Sequence, residues 1–168
     1  KNINSNLSRL CGSIVADGHL FRDKNKKEGI IIVDEYRDSI NKCNKWLKET
    51  FGFYGRIKKS KQYNAWILYI TSKIVTRFFN KFLQIPYGKK SNIVREPDII
   101  KRSKYRLDFA KGVILMDGSV ELDYVVSLGI KNKLLAKDIY GILRANKFDI
   151  RTSDGKSIYK VRSHRLNK

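Results

Sequence analysis

Two aspartates, Asp17 and Asp117, are the residues whose type and spacing most clearly indicate chemistry. Each ends an apolar segment that is typical of a helix, and each is followed by a glycine. A carboxylate at the C-terminal end of a helix lies at the negative end of the helix dipole, and a second carboxylate nearby adds repulsion. A divalent cation would supply the missing positive charge, and hard oxygen ligands suit Mg²⁺. Water bound to such a cation can attack a phosphate.

The other interpretation of an Asp-Gly pair is a helix stop followed by a turn. For one isolated pair, that interpretation is the better one. Here the motif occurs twice, because LCGSIVADG at residues 10–18 matches AKGVILMDG at residues 110–118 with an offset of 100 positions. The repetition favours a site built from both aspartates.

The segments that follow the two motifs also correspond. In the first copy, the patterns predict strands near Phe21 and at 30–33, a helix at 36–50, strands at 54–59 and 65–71, and a helix at 72–83. In the second copy, they predict strands at 120–123 and 125–129, a helix at 132–145, and a turn at Asp154-Gly155 between the last two strands. Residues 148–151 match residues 53–56 with an offset of 95.

This repetition predicts the fold class and the organisation of the chain. The class is α+β, with two αββαββ(α) repeats related by a pseudo-twofold axis and a final helix in the first copy only. The first half spans residues 1–88, a linker spans residues 89–103, and the second half spans residues 104–168.

The repeated helix is the element that a pseudo-twofold arrangement would pack against its own copy. Small residues in both motifs, Gly12 and Ser13 in one and Ala110 and Gly112 in the other, permit two helix backbones to approach closely. If these helices pack side by side and parallel, both aspartates lie at the same end. The sequence therefore predicts that the two carboxylates meet.

The net charge of +20, from 36 Lys and Arg against 16 Asp and Glu, predicts a polyanionic partner. Nucleic acid is the first candidate, ahead of an anionic membrane surface and ribosomal RNA. No apolar run reaches the roughly 18 residues that span a bilayer, and no signal-peptide pattern opens the chain. The two cysteines, Cys11 and Cys43, show neither a disulfide framework nor metal-ligand spacing. We expect an intracellular protein.

The two motifs resemble the LAGLIDADG motif of the homing endonucleases, and the repeat resembles the two-motif, single-chain branch of that family. The first motif keeps Leu10, Gly12, Ile14, Ala16, Asp17 and Gly18, and the second keeps Gly112, Ile114, Asp117 and Gly118. Phe109 and Ser119-Val120 are also typical of the motif's surroundings. The resemblance covers nearly the whole chain.

The resemblance implies a monomeric, site-specific endonuclease for double-stranded DNA. Two saddle-shaped antiparallel sheets would lie over the major groove of a long target, either pseudo-palindromic or asymmetric. The two central helices would place Asp17 and Asp117 as metal ligands beside one scissile phosphate on each strand. The carbonyls of Ala16 and Met116 are further candidate ligands. The implied cofactor is Mg²⁺ or Mn²⁺, with Ca²⁺ supporting binding without cleavage.

The resemblance also points to basic residues beside the carboxylates. Lys131 matches the basic or amide residue that ends the second strand in this family, and Lys90 resembles another pocket lysine. The corresponding stretch of the first copy is Glu35-Tyr36-Arg37, which departs from the pattern. Arg37 is the candidate substitute there.

Strands that lie in a groove present alternate side chains to bases and phosphates. The candidate DNA contacts, besides Arg37, are Arg22, Lys24 and Lys26 on the first hairpin, Arg56, Lys58 and Lys59 on the second, and Arg151, Tyr159, Lys160 and Arg162 in the second copy. Sequence alone does not separate contacts to bases from contacts to phosphates.

Competing functions remain at this stage. The two histidines, His19 and His164, are too few for a nuclease site with a histidine base and a histidine metal ligand. Glu96, Asp98 and Lys101 weakly suggest a carboxylate–lysine nuclease site. The stronger alternative is a non-cleaving protein of the same fold, either an RNA maturase or a DNA-binding regulator. A basic ribosomal protein is less consistent with the duplicated motif.

Overall fold

The computed structural model describes residues 2–90, 93–120, 126–154 and 159–164 of the chain. The first half contains α1 (Ser5–Asp17), β1 (Gly18–Arg22), β2 (Glu28–Asp34), α2 (Arg37–Phe51), β3 (Arg56–Lys59), β4 (Trp66–Ile70) and α3 (Lys73–Arg77). The short helix α4 (Asp98–Lys101) lies in the segment between the halves, and the second half contains α5 (Arg106–Asp117), β5 (Gly118–Val120), β6 (Val126–Ile130), α6 (Lys133–Ala145), β7 (Asp149–Asp154) and β8 (Tyr159–His164). This order confirms the predicted α+β class. The predicted strand ends at 121–123 and 125, and Gly155 of the predicted turn, lie outside the described residues.

Each half forms a four-stranded antiparallel sheet with the same strand order, β1-β2-β4-β3 in the first and β5-β6-β8-β7 in the second. The registers also correspond, because Gly18 pairs with Ile32 in the first sheet and Gly118 pairs with Leu128 in the second. The predicted repeat is therefore present in the hydrogen bonding of the backbone as well as in the sequence.

One face of the first sheet and the helices α1 and α2 form a common core. Strand alternation turns Leu20, Ile32 and Leu68 towards the helices, where they are fully buried, and Ile40 and Leu47 of α2 cover them. Among the described residues, no helix covers the other face of the sheet, where His19 and Val33 are exposed. None of the helices in the described ranges is long and apolar enough to cross a membrane.

Two elements differ from their predicted bounds. Strand β3 begins at residue 56, not 54, because the side chain of Asn44 satisfies both backbone groups of Gly55, accepting from its N–H at 2.7 Å and donating to its carbonyl at 3.2 Å. The predicted helix at 72–83 is α-helical only to Arg77 and continues as a π-helical turn over Phe78–Phe82. In this wider turn Phe79 is fully buried in the core.

The two central helices, α1 and α5, touch at their glycines. A Cβ atom built on Gly12 would lie 2.1 Å from the carbonyl oxygen of Phe109, and one built on Gly112 would lie 2.0 Å from that of Arg9. The hydroxyl of Ser13 donates to the carbonyl of Gly112 at 3.1 Å. Arg9 pairs with Asp108 in the N-terminal parts of the helices, and their last residues, Asp17 and Asp117, line the same clefts. The helices are therefore parallel, and the predicted side-by-side packing is confirmed.

The chain after α3 returns to the central helices along the edge of the first sheet. The N–H of Gly88 donates to the carbonyl of Leu20 at 2.9 Å, beside a parallel bridge between Leu20 and Tyr87. Tyr87 also donates to the buried carboxylate of Glu28 at 3.2 Å, and Arg77 binds that carboxylate with two nitrogens. This path brings residues 88–90 to the C-terminal end of α1.

The segment between the halves is attached to the second half by buried polar contacts. The carboxylate of Glu96 is fully buried and accepts two hydrogen bonds from Arg106, at 2.8 and 2.7 Å. The backbone N–H of Glu96 donates to Asp138, and the amide of Asn132 donates to the carbonyl of Val94. Glu96 is therefore a structural ion-pair partner, which removes the suggested carboxylate–lysine site around it.

We predict that Gly12→Ala destabilises the protein by about 1–3 kcal/mol, because the added methyl group forces α1 and α5 apart. Gly141→Ala is the matched control. Gly141 also lies within a helix, but a Cβ there meets nothing within 4 Å, so the substitution adds up to about 1 kcal/mol of helix stability. Urea unfolding of both variants checks the pair. Equal effects of the two substitutions would contradict the close helix contact.

Candidate active site

Asp17 and Asp117 are the last residues of α1 and α5, and both face two clefts that flank the ends of these helices. The first cleft has a volume of about 450 Å³ and the second of about 430 Å³. Both aspartates line both clefts, so the structure brings the two carboxylates together at one end of the molecule, in the arrangement that the repeated motif predicts.

The surroundings of the two carboxylates disfavour their charged forms. Partial burial, with the nearby charge of Asp17, raises the pKa of Asp117 to about 6. Partial burial also raises the pKa of Asp17, and the charge of Asp34 adds to this effect. In both cases Lys90 acts in the opposite direction. The pair is thus left with an excess of negative charge that a cation would relieve.

Lys90 is a basic residue that contacts the end of α1 and acts electrostatically on both carboxylates. Its ammonium group donates to the carbonyls of Val15 and Ala16, the latter at 2.8 Å, and so caps the C-terminal end of α1. Burial lowers the pKa of Lys90 to about 8, although the charges of Asp17 and Asp117 oppose the shift. The sequence placed Lys90 in this site only through the family resemblance.

The donor set at the helix ends fits a hard divalent cation. Two carboxylates are available, from Asp17 and Asp117, and the carbonyls of Ala16 and Met116 precede them directly. The carbonyl of Ala16 accepts from Lys90, but a carbonyl oxygen has two lone pairs. Among the described residues, no three His, Cys, Asp or Glu side chains gather to hold a metal by themselves. A cation here would keep coordination positions for water or phosphate oxygens, which is typical of Mg²⁺.

The candidate pocket residues occupy different clefts. Lys131 lines the first cleft, together with Lys90 and His19. Glu35 lines the second, beside Asp34, whose carboxylate accepts from the N–H of Tyr36 at 2.6 Å. Neither cleft is lined by Arg37.

The guanidinium carbon of Arg37 instead lies over the ring of Trp66, 4.7 Å from the ring centroid. A guanidinium in such a cation–π contact can still donate its N–H groups to a phosphate. Lys59 lies over the same ring, with its nitrogen 5.9 Å from the centroid. The two residues therefore form one cationic site at the end of β3 and the start of α2.

The helix-free face of the first sheet carries a second group of candidate DNA contacts. Ile57 pairs with the buried Leu68, so alternation turns Arg56 and Lys58 to the opposite, exposed face. Arg56 pairs with Tyr69 of β4, so these two side chains are neighbours on the same face. This face of the sheet is therefore exposed and carries basic side chains.

The first hairpin and the second sheet hold the remaining candidates. Lys24 and Lys26 are exposed in the turn between β1 and β2, whereas Arg22 lies 3.5 Å from the buried carboxylate of Glu28. In the second sheet Arg151 is exposed and pairs with Arg162. In β8, the register sets Lys160 opposite Gly129, and Tyr159 opposite Ile130.

Several residues of these surfaces were not predicted from the sequence. Asp34 lies in the second cleft. Ile31 and Tyr69 lie between His19 and Arg56 in one row of paired residues that runs across the four strands. Their periodicity is that of ordinary strands, so the strand register is the only signal that assigns them to this face.

Comparisons with known proteins support the fold. No protein-family model matches the sequence, and no curated protein matches it. The homing endonuclease I-DmoI, solved in complex with DNA and Ca, has a TM-score of 0.69 at 16% identity, with 98% of this chain and 85% of that chain covered. Its complex with DNA and Mn has a TM-score of 0.68 at 17% identity, with 96% and 90% covered.

A second group of similar structures comes from DUF199/WhiA. Its N-terminal LAGLIDADG domain has a TM-score of 0.61 at 12% identity, with 95% of this chain and 75% of that chain covered. The likenesses extend over nearly all of this chain and include both halves. The chain therefore has the two-motif LAGLIDADG fold of the single-chain homing endonuclease I-DmoI.

Proposed function

We propose that this protein is a site-specific endonuclease that cuts both strands of intracellular double-stranded DNA with divalent metal ions held by Asp17 and Asp117. The observation that carries the proposal is the meeting of these two carboxylates at the ends of parallel helices, where burial and mutual repulsion raise the pKa of Asp117 to about 6. A protein that only binds DNA does not need a pair of adjacent carboxylates, whereas metal-assisted hydrolysis does.

The charge and shape of the protein support DNA as the substrate. The net charge of +20 suits a polyanion. The exposed side chains of Arg56 and Lys58 lie on the sheet face without helices, and the second sheet repeats this topology. Two structures of I-DmoI that resemble this chain are complexes with DNA, which favours the same mode of binding here.

In the proposed mechanism, Asp17 and Asp117 hold the metal ions, with the carbonyls of Ala16 and Met116 as additional ligands. When bound, the metal ions supply Lewis acidity to the phosphate and a lowered pKa to the attacking water. Lys90 stabilises the negative charge at the end of α1 through its hydrogen bonds to Val15 and Ala16. The two sheets position the duplex, so that one phosphate of each strand lies beside the carboxylates.

We predict that Asp17→Asn and Asp117→Asn each abolish cutting in Mg²⁺, by a factor on the order of 10³ or more, because each removes a charged metal ligand. The measurement is cleavage of a randomised duplex library with wild-type protein and both variants, followed by sequencing of the cut molecules. Binding in Ca²⁺ serves as the folding and recognition control, and both variants retain it.

Tight, sequence-selective binding without cutting in Mg²⁺, Mn²⁺ or Ca²⁺ would contradict the enzyme proposal. That outcome would favour the second candidate, a non-cleaving nucleic-acid-binding protein of the same fold. Preference for RNA over duplex DNA in the same binding assay would point to a maturase, and preference for DNA would point to a regulator.

A second prediction concerns pH. Because burial and the neighbouring carboxylate raise the pKa of Asp117 from 3.8 to about 6, its charge opposes folding above pH 6 and this cost disappears as the pH falls towards 4. We expect Asp117→Asn to stabilise the metal-free protein at pH 8 by on the order of 1 kcal/mol, with no gain at pH 4. Thermal unfolding at both pH values checks this sign. A variant less stable than wild type at pH 8 would contradict it.

The same electrostatics can be followed directly by carboxyl ¹³C NMR titration of the metal-free protein. We predict a midpoint for Asp117 near pH 6 in the wild type and a higher midpoint in Lys90→Met, because Lys90 lowers the pKa of this carboxyl group. An unchanged midpoint in Lys90→Met would show that the ammonium group does not act on the carboxylate pair.

A further prediction concerns salt. Arg56→Ala/Lys58→Ala lowers the slope of log K against log salt concentration by about 2, because two phosphate contacts and their released counterions are lost. Lys42→Ala/Lys137→Ala is the control of equal charge, since both lysines are exposed on helices. The slope of log K against log salt concentration is measured by filter binding at KCl concentrations of about 50 to 300 mM, a range that includes physiological ionic strength. Equal slopes for the two double variants would exclude this sheet face as the DNA surface.

A further inference from the structure

The exposed face of the first sheet has an apolar centre. Ile32 and Leu68 point into the core, so alternation turns their neighbours on β2 and β4 to the exposed face. These neighbours form a block of two cross-strand pairs, Ile31 with Tyr69 and Val33 with Ile67. Val33 is 38% exposed, and the other three side chains are half-buried. We call this block the apolar patch.

The surroundings of the apolar patch suit duplex DNA. On β3, Arg56 pairs with Tyr69 and Lys58 pairs with Ile67, so two exposed cations border the patch along one side. Val33 also lines the second cleft, which places the patch beside the two aspartates. A groove of DNA has the complementary arrangement, because its floor is formed by base edges and its sides by phosphates.

The second sheet differs from the first at the equivalent positions. Counted from the matched pairs that open the two sheets, Ser127 and Gly129 of β6 hold the two β2 positions of the patch. The register puts Arg162 and Lys160 of β8 at the two β4 positions. None of these four residues is aliphatic. The apolar patch is therefore specific to the first half, although the strand order and the register are common to both.

The chemistry of the major groove restricts what such a patch can contact favourably. The C5 methyl group of thymine is the apolar group that base edges present there, and the other groups are hydrogen-bond donors and acceptors. A guanine oxygen or a cytosine amino group pressed against Ile or Val would lose its water without gaining a partner. Alternate residues of a strand are about 6.6 Å apart and base pairs about 3.4 Å, so the patch extends over roughly two or three base pairs.

We infer that the apolar patch reads thymine: Ile31, Val33 and Ile67 contact the C5 methyl groups of two or three thymines in one half of the target, and the second sheet does not read its half in this way. This inference rests on the proposed function and adds to it a base that the protein recognises. Burial of one methyl group corresponds to a change of about fourfold in affinity.

The test uses a duplex that the wild-type protein selects from the randomised library by binding in Ca²⁺. Deoxyuridine then replaces the thymines of one half or of the other, which removes the methyl groups and leaves the hydrogen-bonding edges intact. We expect binding to weaken about fourfold for each methyl group removed from one half, and to stay unchanged for the other half. At the sensitive positions, 5-methylcytosine binds about fourfold more tightly than cytosine, because it restores the methyl group.

A matched variant connects this effect to the patch. Val33→Thr keeps the branched shape of the side chain and replaces one methyl group with a hydroxyl. It weakens binding to the thymine duplex several-fold and leaves binding to the uracil duplex unchanged, a pattern that a loss of folding would not produce. The control Ile74→Thr alters a side chain that is 83% exposed on α3, outside the sheet, and it leaves both affinities unchanged.

The outcomes separate this inference from the proposed function. If the wild-type protein binds the selected duplex but does not cut it in Mg²⁺ or Mn²⁺, the proposed function fails and the uracil experiment still decides the inference. If it cuts the duplex but binds the uracil and thymine forms equally, only the inference is overturned. Equal uracil effects in the two halves, or an effect that Val33→Thr leaves intact, would likewise overturn the assignment to the apolar patch.

Discussion

The close contact between α1 and α5 is the interaction on which the rest of the structure depends. Each helix places its glycine against a backbone carbonyl of the other, so any larger residue at either position would force the axes apart. The contact is short-ranged and reciprocal, which fixes both the separation and the register of the helices. Because the two aspartates end these helices, the same contact determines how close their carboxylates lie. Each sheet begins directly after one of the two motifs, so the helix contact also determines where the sheets lie relative to the site.

This geometry concentrates negative charge at the C-terminal ends of two helices. Lys90 offsets part of it by donating to carbonyls at the end of α1 and by lowering the pKa of both aspartates. One lysine does not balance two carboxylates and two helix dipoles. Burial, together with the charge of Asp17, keeps the pKa of Asp117 raised, at about 6. A site with this imbalance is less stable in the absence of a cation and gains stability when a cation binds. This unfavourable electrostatic energy is consistent with a metal centre, and a purely structural pair of helices would not need it.

The sequence alone predicts the class, the repeat and the central helices, because these depend on local patterns: apolar periodicity, paired glycines and turn residues. Beyond the two aspartates, it does not predict which side chains share a cleft. The repeat matches Lys131 only to the stretch Glu35-Tyr36-Arg37, and the pairing of Gly18 with Ile32 and of Gly118 with Leu128, which is long-range information, selects Glu35. The contact of Lys90 with α1 likewise depends on the path of the chain along β1. The shortened start of β3 depends on one buried amide, that of Asn44.

The duplication within a single chain also explains how the clefts came to differ. In a symmetric homodimer, each substitution appears in both halves, so a carboxylate at the position of Glu35 would replace the lysine at both clefts at once. A single chain carries the two positions independently, and here one holds Glu35 and the other Lys131. The fold preserves the pseudo-twofold placement of the backbone and of the aspartates, while the charge around them is free to become asymmetric. A pseudo-symmetric scaffold in a single chain can therefore surround its two aspartates with clefts of different charge.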